Sequence, residues 1–220
     1  GLKLLKAGSL KALYVIPVFI PFQGCPNKCF FCNQNAVTGV EKPQLRGKEE
    51  LFSHFENFLS YSSGKKEFVE IAFFGGNFLG MDKDLVKKYL DIAAEYASGK
   101  ENISIRFSTR PDTITKENLE LIKGYNVKTI ELGVQSMDDT VLRKSGRGHT
   151  ATDSLKAADL IKNEFTGIRL GLQVMPGLPG ETRKSIVKTL NFIQYSLPYY
   201  LRIYPLVVLK NTQLEKLYTK

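Results

Sequence analysis

The sequence predicts an α/β protein, a partial (β/α)6 barrel with parallel strands inside and helices outside. Three observations carry that expectation. Six apolar, β-rich runs alternate with helix-period stretches, the pattern of parallel strands joined by right-handed crossovers. The six units occupy 220 residues, whereas a closed eight-unit barrel typically needs about 250. No linker, low-complexity tract or internal repeat interrupts them, so residues 1–220 read as a single domain.

The strand candidates are 14–22, 68–74, 102–108, 128–134, 167–175 and 200–208. The helix candidates are 48–61, 82–98, 115–124, 138–145 with 150–164, and 181–195. Asp82 can cap the second helix, and Thr115 the third, with Glu117 in its first turn. Pro198 marks the end of the 181–195 region, since proline cannot continue a helix.

The chain is 43% hydrophobic and 24% charged, an ordinary globular composition. No run approaches the ~18 apolar residues of a membrane span. The stretch Gly1 to Lys11 has lysines but no long apolar region, so it does not read as a signal peptide. Reduced cysteines and no export signal point to the cytoplasm. Net charge is +9, from 31 Lys+Arg against 22 Asp+Glu. That permits a polyanionic partner, and is equally expected of solvated lysines such as Lys65-Lys66 and Lys87-Lys88.

The longest connection runs from Gly24 to about Gly47, and connections of this length are usually functional or disordered. It holds all three cysteines, Cys25, Cys29 and Cys32, spaced C-x3-C-x2-C. Thiolates suit iron–sulfur clusters, zinc and copper(I). A protein-saturated cluster or structural zinc site wants four ligands, so three would leave one iron of a cluster open for chemistry. The odd count argues against a disulfide framework. The rival reading is a non-catalytic binding module with zinc in this loop, completed by His54 or His149. The far end, Asn33-Gln34-Asn35 and Thr38-Gly39, is expected to wrap over the metal centre.

In parallel α/β folds, ligands collect at the C-terminal strand ends. The second strand ends Phe74-Gly75-Gly76-Asn77, where paired glycines let backbone approach a ligand closely. The third ends Ser108-Thr109-Arg110-Pro111-Asp112. The fourth ends Gly133-Val134-Gln135-Ser136, followed by Gly146-Arg147-Gly148-His149. The fifth runs Gln173-Val174-Met175-Pro176-Gly177-Leu178-Pro179-Gly180, and the sixth Arg202-Ile203-Tyr204-Pro205. Each alone also reads blandly: a tight Gly-Gly turn, an Asx turn at Asp112, a surface Arg147, a helix-opening His149, packing at Met175, a core Tyr204.

Together these motifs resemble the radical S-adenosylmethionine (SAM) enzymes over about residues 14 to 216. C-x3-C-x-aromatic-C, with Phe31 aromatic, resembles their cluster loop. G-V-Q-S, G-R-x-H and G-L-P-G resemble the branch of oxygen-independent coproporphyrinogen oxidase and the Elongator catalytic subunit. R-I-Y-P is more similar to the latter. The resemblance implies a 4Fe–4S cluster on Cys25, Cys29 and Cys32, with SAM on the open iron. It implies SAM cleavage to a 5′-deoxyadenosyl radical that abstracts hydrogen from a substrate. SAM contacts are implied at Phe31, Gly75, Gly76, Asn77, Ser108, Gln135, Arg147 and Gln173. Relatives often have glutamate where Asn77 stands, and some have aspartate where Gln173 stands. The expected activity is that of an oxidoreductase or transferase. Expected partners are an electron donor such as flavodoxin or ferredoxin and, as substrate, transfer-RNA uridine, with a small molecule or tetrapyrrole as the alternative.

Overall fold

The computed structural model describes residues 13–26, 29–33, 47–61, 64 and 66–218. Six strands form one parallel sheet in chain order: β1 (Leu13–Phe19), β2 (Phe68–Phe74), β3 (Ile103–Thr109), β4 (Val127–Gln135), β5 (Arg169–Val174) and β6 (Tyr200–Ile203). Helices α1 (Lys48–Ser60), α2 (Lys83–Ala97), α3 (Lys116–Ile122), α4 (Asp139–Lys144), α5 (Ala151–Glu164) and α6 (Arg183–Ser196) fill the crossovers. The sheet curls into a half-barrel with the helices around it, the expected architecture.

Side chains of a strand alternate between faces, and here the two faces differ sharply. The outer face carries Ile71, Phe73, Ile105, Phe107, Ile130, Leu132 and Leu172, all buried. It packs on Leu51 and Phe55 of α1, Val86, Tyr89 and Leu90 of α2, and Ala158 and Ile161 of α5 in one core. Phe73, Phe78 and Phe107 stack through it, with ring centroids 5.0 and 4.6 Å apart. The inner face carries Glu70, Arg106, Ser108, Thr129, Glu131, Arg169, Tyr200 and Arg202. Arg169 on β5 donates to Glu70 on β2 over 3.1 Å. A flat sheet would hold those two strands about 14 Å apart, so this ion pair is a direct consequence of the curl.

Capping follows the sequence. Asp82 accepts from Asp84 N at the start of α2, and Thr115 from Asn118 N at the start of α3. Three strands are shorter than the apolar runs suggest, β5 (Arg169–Val174) by a residue or two at each end. β1 stops at Phe19, because Phe22 and Gly24 take left-handed φ of 58° and 68° and turn the chain aside. β6 covers four residues, because Pro205 has no N–H for a ladder. Beyond it Tyr204 N still reaches Val174 O and Leu206 N reaches Pro176 O. A seventh helix, α7 (Gln213–Tyr218), was not expected. Its signal was present as Thr212-x-x-Glu215, the pattern of a capping box, and Glu215 N does donate to Thr212 Oγ1. Among the described residues no helix is long and apolar enough to cross a membrane.

Candidate active site

The floor of the site is the contact between the start of the cysteine loop and the turn after β2. Gly75 takes φ +93°, open to glycine without strain. A Cβ on Gly76 would sit 2.4 Å from Gln23 O, and one on Gly24 2.2 Å from Asn77 O. Both glycines are therefore required for two backbones to touch. Asn77, 1% exposed, fastens them. Its amide nitrogen donates to Gly24 O (2.9 Å). Its oxygen accepts from Thr109 Oγ1 (2.7 Å), Arg110 N (2.9 Å) and Thr113 Oγ1 (3.0 Å). This side chain is committed on both ends to the protein. Through these bonds it positions the loop.

The walls come from distant parts of the chain. Phe30 N donates to Ser145 O after α4, and Phe30 O accepts from Leu214 N in α7. Asn33 Nδ2 donates to Lys210 O. Cys32 N donates to Cys29 O, a turn that brings these two cysteines close along the chain. Gln34, Asn35, Thr38 and Gly39, expected to wrap over the centre, lie outside the described residues.

Arg147 joins the wall to the sheet. Its Nη1 donates to Cys29 Sγ (3.3 Å) and its Nη2 to Gly133 O (2.6 Å). Gln135 lies beside it: a Cβ on Gly133 would meet Gln135 Nε2 at 3.3 Å and Arg147 Nη2 at 3.4 Å. Gln135 has φ 65° at a register shift between β4 and β5. A left-handed non-glycine residue costs on the order of 1–3 kcal/mol and clusters at functional sites. Here it redirects the side chain. Four buried polar atoms around this point have no hydrogen-bond partner among the described residues: Arg110 Nη1, Gln135 Oε1, Arg147 Nε and His149 Nδ1. Such atoms are costly to bury unpaired, and two acceptors with two charged donors suit a polar, partly anionic ligand.

Burial pushes the Cys25 thiol up, and Cys29 adds to this, while Arg147, Arg110 and the Asn77 backbone amide pull it down. His149, 3% exposed, is pushed down to about 3 by burial and by Arg147, against the hydrogen bond to Val134 O. It is a neutral ring wedged at the entry to α5.

The remaining expected residues fall as follows. Phe31 is half-buried in the cysteine loop, and Gln173 half-buried on the inner face of β5. Ser108 donates to Glu131 (3.0 Å), inside the hollow. Arg110 makes a two-pronged pair with Asp112 (2.9 and 2.8 Å) and is 5% exposed. Sequence reasoning missed Gly24, Gly80 and Thr109 as builders of the floor. Gly24 and Gly80 flank recognisable motifs, but only their contacts reveal the need for glycine.

None of the three cysteines forms a disulfide among the described residues. Among the described residues no three His, Cys, Asp or Glu are grouped as one metal ion requires. His54 and His149 hydrogen-bond Pro17 O and Val134 O instead. The donor set, three thiols beside unpartnered cationic and amide groups, fits a cluster with an open iron and a chelating ligand better than one zinc ion.

Comparison with known proteins agrees with this geometry. A family model described as Radical SAM superfamily matches residues 19–193. An uncharacterised protein of Methanocaldococcus jannaschii is 34% identical over 94% of this chain and 65% of its own length. A tRNA uridine(34) acetyltransferase of Methanocaldococcus infernus is 25% identical over 96% of this chain and 46% of its own length. The chain thus spans about half to two thirds of these relatives. Among solved structures, Elp3 of Methanocaldococcus infernus superposes with a TM-score of 0.69 at 21% identity, covering 94% of this chain and 49% of that one. Coproporphyrinogen III oxidase (HemN) of Escherichia coli gives 0.62 at 18% identity, over 90% and 45%. These two show likeness of fold.

Proposed function

We propose that this chain, which belongs to the radical SAM superfamily, is an enzyme whose hollow half-barrel receives a transfer-RNA uridine. The family's cofactors are a 4Fe–4S cluster and SAM. When bound and reduced by an external donor, the cluster would pass one electron to SAM, splitting it into methionine and a 5′-deoxyadenosyl radical able to abstract hydrogen.

The chain's own residues supply placement and electrostatics. Cys25, Cys29 and Cys32 would hold three irons. The exposed backbone of Gly75 and Gly76 would face the methionyl amine. Arg147 offers a fork for the carboxylate, Gln135 and Gln173 offer hydrogen bonds, and Phe31 an apolar wall. Asn77 and Ser108 act behind these groups. The observation that carries the reading is Arg147 reaching from Gly133 O to Cys29 Sγ. It ties the SAM-facing strand end to the cysteine loop with one cation.

The substrate rests on less: the tRNA uridine(34) acetyltransferase among the relatives and the net charge of +9. A reduced flavodoxin or ferredoxin would deliver the electron, in the cytoplasm.

Anaerobic reconstitution with iron and sulfide tests this. About four irons per chain are expected. Alanine at any one of Cys25, Cys29 or Cys32 should abolish SAM cleavage, because no spare cysteine exists. Full activity in a single variant refutes the ligand set. Transfer RNA should bind with log affinity falling by ~0.7–0.9 per phosphate against log salt, and Lys210→Ala, at an exposed lysine beside the loop, should lower that slope by about one contact. No RNA binding at moderate salt, with SAM turnover on an added metabolite, ends the RNA reading and leaves the radical core standing.

A further inference from the structure

The hollow of the half-barrel is unequally charged. Two carboxylates, Glu70 and Glu131, face three guanidiniums, Arg106, Arg169 and Arg202. Glu131, 1% exposed, accepts from Arg106 Nη2 (2.8 Å), Ser108 Oγ (3.0 Å), the Tyr200 hydroxyl (3.0 Å) and Arg202 Nη1 (3.1 Å to each oxygen). Glu70 accepts from Thr129 Oγ1 (2.5 Å) and Arg169 Nη2 (3.1 Å), with Arg106 Nη1 at 3.6 Å. Burial, then Glu131, hold the Tyr200 hydroxyl well above its ordinary value, so it stays neutral. The set carries one positive charge more than it cancels. Two of the three guanidiniums keep contact with water, Arg169 at 33% and Arg202 at 36% side-chain exposure, so an anion entering the hollow would take the place of that water.

The excess has an address. Arg106 is sealed at 7% exposure between both carboxylates. Arg169 is the first residue of β5, at the opposite rim from the cysteine loop. Arg202 is near the end of β6, paired in register with Gln173, and its side chain is 36% exposed. Its Nε and Nη2 make no hydrogen bond among the described residues. Its guanidinium lies 5.5 Å from the Phe74 ring and 4.8 Å from the Tyr204 ring, aromatic faces that hold such a plane in place. Gly171 keeps the arrangement open, since a Cβ there would strike the Tyr200 ring at 2.2 Å. The outcome is a half-satisfied, pre-oriented fork aimed into the hollow one strand from Gln173.

We propose that Arg202 is an anion-binding residue of the substrate pocket, and that the substrate presents a carboxylate or phosphate oxyanion to it within the hollow. The proposal rests on the reading of the hollow as the substrate chamber. It asks of the substrate a charge, not a macromolecular surface.

Calorimetric titration of the whole protein tests it, with uridine 5′-monophosphate, neutral uridine and glutarate as probes, with and without reconstituted cluster. At least one anion should bind, and neutral uridine at least tenfold more weakly than its monophosphate if phosphate is the group. Arg202→Gln should weaken the anion about tenfold or more, the range for hydrogen bonds to charged groups, and Arg202→Lys should recover part of it. In the unaltered protein added chloride should compete with the anion and not with uridine, a readout that needs no variant. Preference for the monophosphate identifies a nucleotide source, and preference for glutarate a carboxylic acid. The proposal is overturned if neither anion binds below about 10 mM, if uridine and its monophosphate bind alike and glutarate does not bind, or if Arg202→Gln leaves anion binding unchanged. It is also overturned if that variant loses SAM affinity in step with the anion, which would assign Arg202 to the cofactor. Failure of the unaltered protein to take up iron and SAM would instead overturn the enzymatic reading, since anion binding is measured on cluster-free protein as well.

Discussion

Asn77 is the most informative position to perturb, because its contribution can be worked out bond by bond. In Asn77→Ala the backbone N–H of Arg110, a residue 5% exposed, loses its acceptor at 2.9 Å. Gly24 O loses its donor at 2.9 Å, on a residue half-open to water. Thr109 and Thr113 can bond each other instead, across 2.9 Å. A fully buried unpaired group costs about 1–3 kcal/mol and a partly solvated one less, so the sum is about 2–4 kcal/mol. The loss falls on the seam that holds the cysteine loop, so iron uptake should drop with stability. Asn77→Asp is nearly isosteric and sharpens the test. Ionised, it sets a buried charge against Gly24 O; protonated, it can donate there as the amide did. Its deficit relative to the parent should therefore narrow as pH falls. Urea unfolding monitored by circular dichroism gives the stability, and iron content after anaerobic reconstitution gives the function. A cost under about 0.5 kcal/mol in the alanine variant, with full iron loading, would refute the account of the floor.

Arg147→Lys keeps the charge but loses the fork, and should weaken SAM binding by about 1–3 kcal/mol with near-normal folding; an unchanged affinity in equilibrium titration reassigns Arg147 to a structural role. His149 is pushed down to about 3, so the unfolded chain takes up its proton first as pH falls. The stability it confers is whole above about pH 6.5 and is lost progressively toward pH 3, with a slope of at most about 1.4 kcal/mol per pH unit. His149→Gln should remove that contribution to the slope between pH 6 and 4, and a slope identical to the parent's would contradict the burial argument.

Much of this was readable in the chain. Alternation of apolar runs with helical periods determines a curled parallel sheet, because few other arrangements bury both sets of faces. The motifs at strand ends converge because parallel strands all end on one rim. The inner face was harder to read. Glu70, Arg106 and Glu131 each sit inside an apolar strand run, in Val69-Glu70-Ile71, Ile105-Arg106-Phe107 and Ile130-Glu131-Leu132. Taken singly they look like exceptions to apolar runs; only the register aligns them across one hollow. Asn77 escaped for a different reason. Its partner Gly24 is 53 residues away, and nothing local distinguishes a side chain that meets a ligand from one that meets another loop.

The two hydrogen bonds that reach the cysteine loop from Lys210 and Leu214 also bear on how the protein is made. Asn33 and Lys210 are 177 residues apart in sequence. A ribosome adds about 5–20 residues each second, so the cysteines emerge on the order of ten to forty seconds before these partners exist. Contacts of such long range also form late in refolding, after the loop between them has closed. For that interval the three thiols have no complete wall around them. A cluster held by these cysteines would gain this part of its wall only after Lys210 and Leu214 have been added.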